Sequence, residues 1–204
     1  MLDMVNNSQA ERMTEMHLVG IIGNNRQGSY NKKLLEFIKI HYQNEFTMDL
    51  LTGADLPIYN QDDELNAPQS VKDFKKPFAK ADGVIIATPE HNHSITAVLK
   101  NALDWASRVN QVLYNKPVMV VGAALGPMGT LRAQNHLRQI LDSPGVGAYV
   151  LPGNDFLLTN AEDKFNAQGT LTDADTLEML SATLHNFENF IQYSNPKHYD
   201  FLKL

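Results

Sequence analysis

The chain of 204 residues has the composition of an ordinary globular protein, because 43% of its residues are hydrophobic and 20% are charged, which argues against extended disorder. Its 23 acidic and 17 basic residues give a formal net charge of −6, and without a Lys/Arg-rich run we expect no nucleic-acid partner. Cysteine is absent, which excludes disulfides, thiolate catalysis and iron–sulfur clusters. Any redox chemistry must therefore use a bound cofactor.

Residues 1–16 are polar and lack the apolar centre of a secretory signal, and no later apolar run approaches the length of a membrane span. We expect residues 1–16 to form a flexible leader, residues 17–195 a single domain, and residues 196–204 a tail. The predicted location is cytoplasmic, with no membrane partner.

Short apolar runs alternate with helix-like segments along the domain. The predicted strands are 18–22, 47–51, 83–87, 118–121 and 148–151, and the helices between them are 34–42, 70–79, 95–107 and 131–141. This alternation is typical of parallel strands covered by helices, and the uninterrupted apolar runs at 83–87 and 118–121 indicate burial on both sides. The prediction is an α/β fold, a doubly wound five-stranded parallel sheet with helices on both faces.

The first strand leads into the loop Gly23-Asn24-Asn25-Arg26-Gln27-Gly28-Ser29-Tyr30-Asn31. Free N–H groups and the positive end of the dipole make a helix N-terminus after such a loop favourable for an anion. Ser29 stands where a nucleoside-triphosphate loop needs lysine, and Asn25 where a dinucleotide loop needs its second glycine. A ligand with one terminal phosphate fits better, and an ordinary strand-to-helix turn is the alternative.

After the fifth strand, the polar, glycine-containing segment 161–172 predicts a surface loop. Thr172 is the predicted N-cap of a final helix. The apolar stripe of this helix consists of Leu177, Leu180, Leu184, Phe187 and Ile191, which recur at helical spacing and predict packing on the sheet.

Ligands of open parallel sheets lie at the carboxyl ends of the strands, so the loops after the first, third and fourth strands should converge. The third loop is Thr88-Pro89-Glu90-His91-Asn92-His93-Ser94, and the fourth extends from Gly122 to Thr130. His91 and His93 beside Glu90 raise the alternative of a metal site, but no further ligand cluster is evident, and no metal is predicted.

In these loops the chain resembles the NADPH-dependent FMN reductase family, a flavodoxin-like group that includes quinone, azo-dye and chromate reductases. The matching elements are Arg26-x-Gly28-Ser29-x-Asn31, Leu56-Pro57-x-Tyr59-Asn60 with Asp62, Thr88-Pro89-Glu90-x-Asn92-x-Ser94-Ile95, Val98-Leu99-Lys100-Asn101-Ala102-Leu103-Asp104-Trp105 and Arg132-Ala133-Gln134. They occur in the expected order across roughly residues 17 to 139, and several motifs in register are strong evidence.

The resemblance implies that the loop from Gly23 to Asn31, the phosphate loop, holds the FMN phosphate. The flavin ring would lie along the loop after the third strand, and the loop 123–129 would face the pyrimidine side of the ring. The implied cofactor-binding residues are Arg26, Ser29, Tyr30, Asn31, Pro89, Glu90, His91, Asn92, Ser94, Ala123, Gly126 and Gly129. The chain departs from the family at three places. Asn24 replaces a usual serine, His91 a usual tyrosine, and Thr96-Ala97 a usual Pro-Gly.

The resemblance further implies hydride transfer from NADPH or NADH to FMN, followed by electron delivery to a small-molecule acceptor, which is a flavin, quinone, azo compound or metal oxyanion. The cofactor performs the difficult step, so no catalytic side chain is named. Assembly as a homodimer or homotetramer is implied as well. The alternative is a flavodoxin-type electron carrier that binds FMN without NAD(P)H turnover; Arg26 and the modest negative charge favour the reductase.

Overall fold

The computed structural model describes residues 16–194. The predicted leader up to residue 15 and the predicted tail 196–204 lie outside these residues. The strands are β1 (Met16–Ile22), β2 (Phe46–Thr52), β3 (Gly83–Ala87), β4 (Pro117–Ala123), β5 (Tyr149–Val150) and β6 (Phe156–Leu158). The helices are α1 (Tyr30–His41), α2 (Gln69–Lys75), α3 (Ala97–Ala106), α4 (Leu131–Leu141), α5 (Ala161–Lys164) and α6 (Ala174–Tyr193), with 3₁₀ turns at Gln61–Asn66 and Lys76–Ala79.

The strands form one parallel sheet in the order β2-β1-β3-β4-β5, with β6 also paired to β4. This confirms the predicted doubly wound α/β fold. The fifth position differs from the prediction because it is divided: β5 pairs with the start of β4, and β6 pairs with its end. Pro152, which has no N–H, and Gly153, at φ +64°, interrupt the ladder between the two short strands.

Helices cover both faces of the sheet, as predicted. On one face Ile85 and Met119 of the sheet belong to the same apolar cluster as the buried residues of α1 and α6. On the other face Val84, Ile86 and Val120 pack with residues of α2, α3 and α4. Successive residues of a strand point to opposite faces, so an uninterrupted apolar run is what a sheet buried on both sides requires.

The segment 161–172 corrects two predictions. It is not merely a surface loop, because α5 begins there and Ala161, Phe165 and Leu171 are buried in the core. The N-cap of α6 is Asp173 rather than Thr172, since the Asp173 carboxylate accepts the Thr176 N–H at 3.0 Å. Thr172 instead donates its hydroxyl to the Lys164 carbonyl at 3.3 Å. The apolar stripe of α6 packs on the sheet as expected.

Register across the sheet determines where the loops meet. Ile22 pairs with Ala87, Ala87 with Val121, and Val121 with Phe156. The loops that follow β1, β3 and β4 therefore leave the sheet at nearly the same level and on the same edge. Across the described range 16–194, no helix is both long and apolar enough to cross a membrane.

Candidate active site

The loop after β1 enters α1 through a side-chain cap. Ser29 is the N-cap, and its Oγ accepts the Lys32 N–H at 3.2 Å and the Asn24 Nδ2 at 2.7 Å. A hydroxyl oxygen accepts two hydrogen bonds and donates one. Because both acceptor positions of this buried oxygen are occupied, the hydroxyl hydrogen of Ser29 remains available to a ligand.

Backbone donors surround that hydroxyl. The N–H groups from Asn24 to Gly28, and those of Tyr30 and Asn31, find no acceptor among residues 16–194. Arg26 is exposed beside them. Unpaired N–H groups at the positive end of a helix, with a guanidinium next to them, suit a phosphate.

The donor set fits the cofactor that the resemblance implies. The N–H groups and the Ser29 hydroxyl match a phosphate, which only accepts hydrogen bonds when it is fully ionised. Asn24 Oδ1 is buried and has no donor within the described chain, and a buried acceptor without a partner is costly. The hydroxyl groups of the FMN ribityl chain are donors of the kind that this oxygen lacks.

Asn31 connects the phosphate loop to the end of β4. Its Nδ2 donates to the Ala123 carbonyl and its Oδ1 accepts the Ala123 N–H, both at 2.9 Å. The side chain is 2% exposed. This reciprocal pair makes Asn31 and Ala123 structural links between two loops, and one N–H of the Asn31 amide is left for a ligand.

The loop after β3 closes in a two-residue turn. His91 and Ser94 exchange backbone hydrogen bonds of 2.9 and 3.0 Å, and the central residues Asn92 and His93 have φ of 51° and 63°. Positive φ at both central residues matches a type I′ hairpin turn. The turn leaves the side chains of His91, Asn92 and His93 exposed; no group of three or more potential metal-ligand side chains is found in residues 16–194.

Glu90 attaches this loop to α4. Its carboxylate accepts the backbone N–H of Arg132 at 3.0 Å and of Ala133 at 3.3 Å, and the Arg132 Nη1 at 3.1 Å. Burial raises the pKa of Glu90, but the hydrogen bonds from Arg132 and Ala133 outweigh that effect and hold the pKa below its usual value. Glu90 thus binds the N-terminus of α4, where a negative charge is stabilising.

A second contact fastens the other end of the turn, since Ser94 Oγ lies 2.7 Å from His136 Nδ1 on α4. Both ends of the loop are therefore held by one helix. Among the predicted cofactor-binding residues of this loop, Glu90 and Ser94 contact α4 through their side chains. Their contacts with the cofactor remain predictions.

The loop after β4 turns tightly at Gly129 and Thr130, with φ of 55° and 68°. Thr130 and the buried Gln134 lie against Gly122, where a Cβ atom would be 1.8 Å from Thr130 Oγ1. Gly126, by contrast, has no atom of residues 16–194 within 4 Å of an added Cβ. The loop is thus packed at its base and open at its tip, where Leu125 is 53% exposed.

The loop after β2 is held by α3. Asn101 accepts the Tyr59 N–H at 2.8 Å, and Trp105 Nε1 donates to the Pro57 carbonyl at 2.8 Å. Trp105 is almost fully buried. Ile58 between these contacts is exposed.

One buried contact behind the phosphate loop was not predicted from the sequence. Thr96 Oγ1 donates to the Gly23 carbonyl at 2.5 Å and accepts the Leu99 N–H at 3.0 Å as the N-cap of α3. Residues 23 and 96 are far apart in sequence, so no local pattern reveals the bond; the signal was the departure from the family's usual proline.

The sheet is doubly wound and parallel, and the phosphate loop and two further loops lie at the same edge. This arrangement defines a flavodoxin-like, cofactor-binding protein. The chain belongs to the NADPH-dependent FMN reductase family, whose family model matches residues 16–163. The predicted family is therefore confirmed, and with it an FMN- and NAD(P)H-dependent oxidoreductase rather than a flavodoxin-type carrier.

Three similar proteins illustrate the family. The NADH:(hydroxy)cinnamate reductase subunit CrdA of Vibrio ruber is 42% identical over 177 residues, covering 87% of this chain and 88% of that protein. The quinone reductase of Escherichia coli K12 is 36% identical over 183 residues, covering 87% and 96%. The solved structure of FerB, a flavoenzyme NAD(P)H:(acceptor) oxidoreductase from Paracoccus denitrificans, has a TM-score of 0.80 at 29% identity and covers 88% of this chain and 98% of its own.

Gly122→Ala should destabilise the protein by about 1–3 kcal/mol, because the added Cβ overlaps Thr130 Oγ1 and approaches Gln134 Nε2 to 2.9 Å. Gly126→Ala, which adds the same atom to the same loop in open space, should change the free energy of unfolding by about 0.5 kcal/mol or less. Urea denaturation of both variants measures the difference. Equal stabilities would contradict the packing described at the base of the loop.

Glu90→Gln should reduce stability at neutral pH, because glutamine provides no charge for Arg132 and the start of α4. A carboxyl group whose pKa is lowered by folding stabilises the protein above its unfolded pKa, and the effect is lost as the pH falls through the folded pKa. The stability difference between wild type and variant should therefore be full at pH 7 and shrink below the ordinary value of 4.5. Urea titrations between pH 7 and pH 3 measure it.

The control for that experiment is Glu178→Gln, which changes an exposed glutamate on α6. It should alter stability little at pH 7. A Glu90→Gln variant as stable as wild type at pH 7 would show that the contacts to α4 contribute nothing.

Proposed function

We propose that the chain binds FMN at the carboxyl edge of its sheet, accepts reducing equivalents from NADPH or NADH, and passes electrons to a small-molecule acceptor. The observation that carries the proposal is that the phosphate loop, the loop 89–94 and the loop 123–129 converge at the carboxyl edge of the sheet. Membership of the FMN reductase family supports the identity of the cofactor.

Each loop has a separate task in this proposal. Arg26, the Ser29 hydroxyl and the free N–H groups at the start of α1 hold the phosphate. The loop from Pro89 to Ser94 provides a surface for the flavin ring, and α4 keeps that surface in place through Glu90. The loop up to Gly129 brings backbone N–H groups near the ring, where fixed dipoles stabilise negative charge.

Bound FMN supplies the hydride and electron chemistry. The residues of the chain bind the cofactor, orient it and leave one side open for the nicotinamide and then the acceptor. No side chain is assigned as acid, base or nucleophile, because positioning accounts for the role of the protein. The exposed apolar side chains of Leu125 and Met128 offer contacts for a planar, partly apolar acceptor.

Quinones and free flavins are the acceptor classes that we favour, since similar proteins include a quinone reductase and a flavin reductase subunit. The proposal also includes a cytoplasmic location and assembly as a homodimer or homotetramer. Azo compounds and metal oxyanions are further candidates, because a site that works by stacking makes few contacts specific to one acceptor.

Reductive titration without oxygen tests the proposal. The purified protein is loaded with FMN, separated from free flavin, and mixed with NADPH or NADH. We expect the yellow flavin absorption to bleach and to return when a benzoquinone is added. A protein that retains FMN but is not bleached by either nicotinamide is an electron carrier, and one that takes up no FMN contradicts the proposal altogether.

Arg26→Ala should weaken FMN binding by about 10- to 100-fold, the range expected for a hydrogen bond to a charged group. Because the Arg26 side chain is exposed, the thermal unfolding midpoint of the FMN-free protein should be nearly unchanged. Lys39→Ala removes one positive charge at the opposite end of α1 and serves as the control. Quenching of flavin fluorescence gives both dissociation constants. Equal FMN affinity of Arg26→Ala and wild type would refute the assignment of Arg26.

A further inference from the structure

Thr96 is one of the positions where the chain departs from the pattern of its family, which usually has proline there. Its side chain is 4% exposed, and its hydroxyl does two things at once: it accepts the Leu99 N–H to cap α3 and donates to the carbonyl of Gly23. Proline has no hydroxyl and makes neither contact. The departure therefore adds a buried hydrogen bond between α3 and the phosphate loop.

Gly23 is held on two further sides. Its N–H donates to the Ala87 carbonyl at 2.9 Å, and its Cα lies so close to β3 that an added Cβ would be 2.5 Å from that carbonyl oxygen. Contacts at its N–H, its Cα and its carbonyl therefore fix the orientation of Gly23, the first residue of the phosphate loop.

The hydrogen bond from Thr96 also determines where the next N–H points. The carbonyl of Gly23 and the N–H of Asn24 belong to the same planar trans peptide, so they point in opposite directions. Because Thr96 holds the carbonyl toward α3, the Asn24 N–H points away from α3, and it has no acceptor in the described part of the chain.

Building on the proposed FMN function, we propose that Thr96 is a positioning residue for the cofactor phosphate. It orients the Gly23–Asn24 peptide so that the Asn24 N–H joins the donors of the phosphate cradle. In the reaction Thr96 touches neither cofactor nor substrate. Its contribution is specific to the phosphate group and is absent for a flavin that has no phosphate.

The test compares FMN with riboflavin, which has the same ring and ribityl chain but no phosphate. In Thr96→Val, which replaces the hydroxyl with a methyl group of similar size, the dissociation constant of FMN should rise about 3- to 10-fold, and that of riboflavin less than twofold. Thr96→Ser keeps the hydroxyl and should restore FMN binding to within twofold of wild type. Fluorescence quenching measures each constant.

The matched control is Thr183→Val, which removes another buried hydroxyl, donating to the Met179 carbonyl at 2.8 Å within α6. It should change neither constant. Phosphorus NMR of bound FMN gives a second readout that a structural role alone would not move: the phosphate resonance should shift in Thr96→Val and stay in place in Thr183→Val.

Three results would overturn the inference. An equal rise of both dissociation constants in Thr96→Val would mean that the residue only supports α3. An unchanged FMN constant with an unchanged phosphate resonance would mean that the peptide keeps its orientation without the hydroxyl. A wild-type protein that binds no FMN would remove the proposed function and this inference together, whereas the first two results leave the proposed function intact.

Discussion

The site depends on the parallel register of the three central strands. Buried backbone N–H and C=O groups must be paired, and strands covered by helices on both faces have no water to pair with. The ladders that join Ile22, Ala87 and Val121 therefore leave little freedom in where each strand ends. Three loops from distant parts of the sequence begin at one level of the sheet, and a single elongated ligand can reach all of them.

Polar side-chain contacts then shape the loops without any ligand. Asn31 links the phosphate loop to the end of β4, Thr96 links it to α3, and Glu90 links the loop after β3 to α4. Asn31 and Thr96 lie at or near a helix N-terminus, and Glu90 contacts one. Loops that are held in place before the ligand arrives favour binding, because less conformational freedom is lost.

The sequence alone was sufficient to predict that helices cover both faces of a parallel sheet. Uninterrupted apolar runs identified the central strands, and helical spacing identified α6, because burial on two faces or on one leaves different periodicities. The divided fifth strand escaped detection since Phe156–Leu158 is too short to show a pattern. The segment 161–172 appeared to be a surface loop because its buried residues Ala161, Phe165 and Leu171 are separated by polar ones.

The motifs named candidate site loops but not the hydrogen bonds that connect them. The loop residues could be named from their order and from their resemblance to a family. That Asn31 reaches Ala123, or Thr96 reaches Gly23, depends on contacts across 92 and 73 residues, which no local pattern encodes. The contacts of Asn31 with Ala123 and of Glu90 with α4 show that these two candidate binding residues also hold the loops in place.

We propose that one FMN molecule spans the three loops at the carboxyl edge of the sheet. A crystal structure of the protein with FMN tests this proposal. We expect the phosphate at the N-terminus of α1, within hydrogen-bonding distance of Ser29, and the flavin ring against the loop from Pro89 to Ser94. A flavin bound at another surface, or a phosphate that makes no contact with the start of α1, would contradict it.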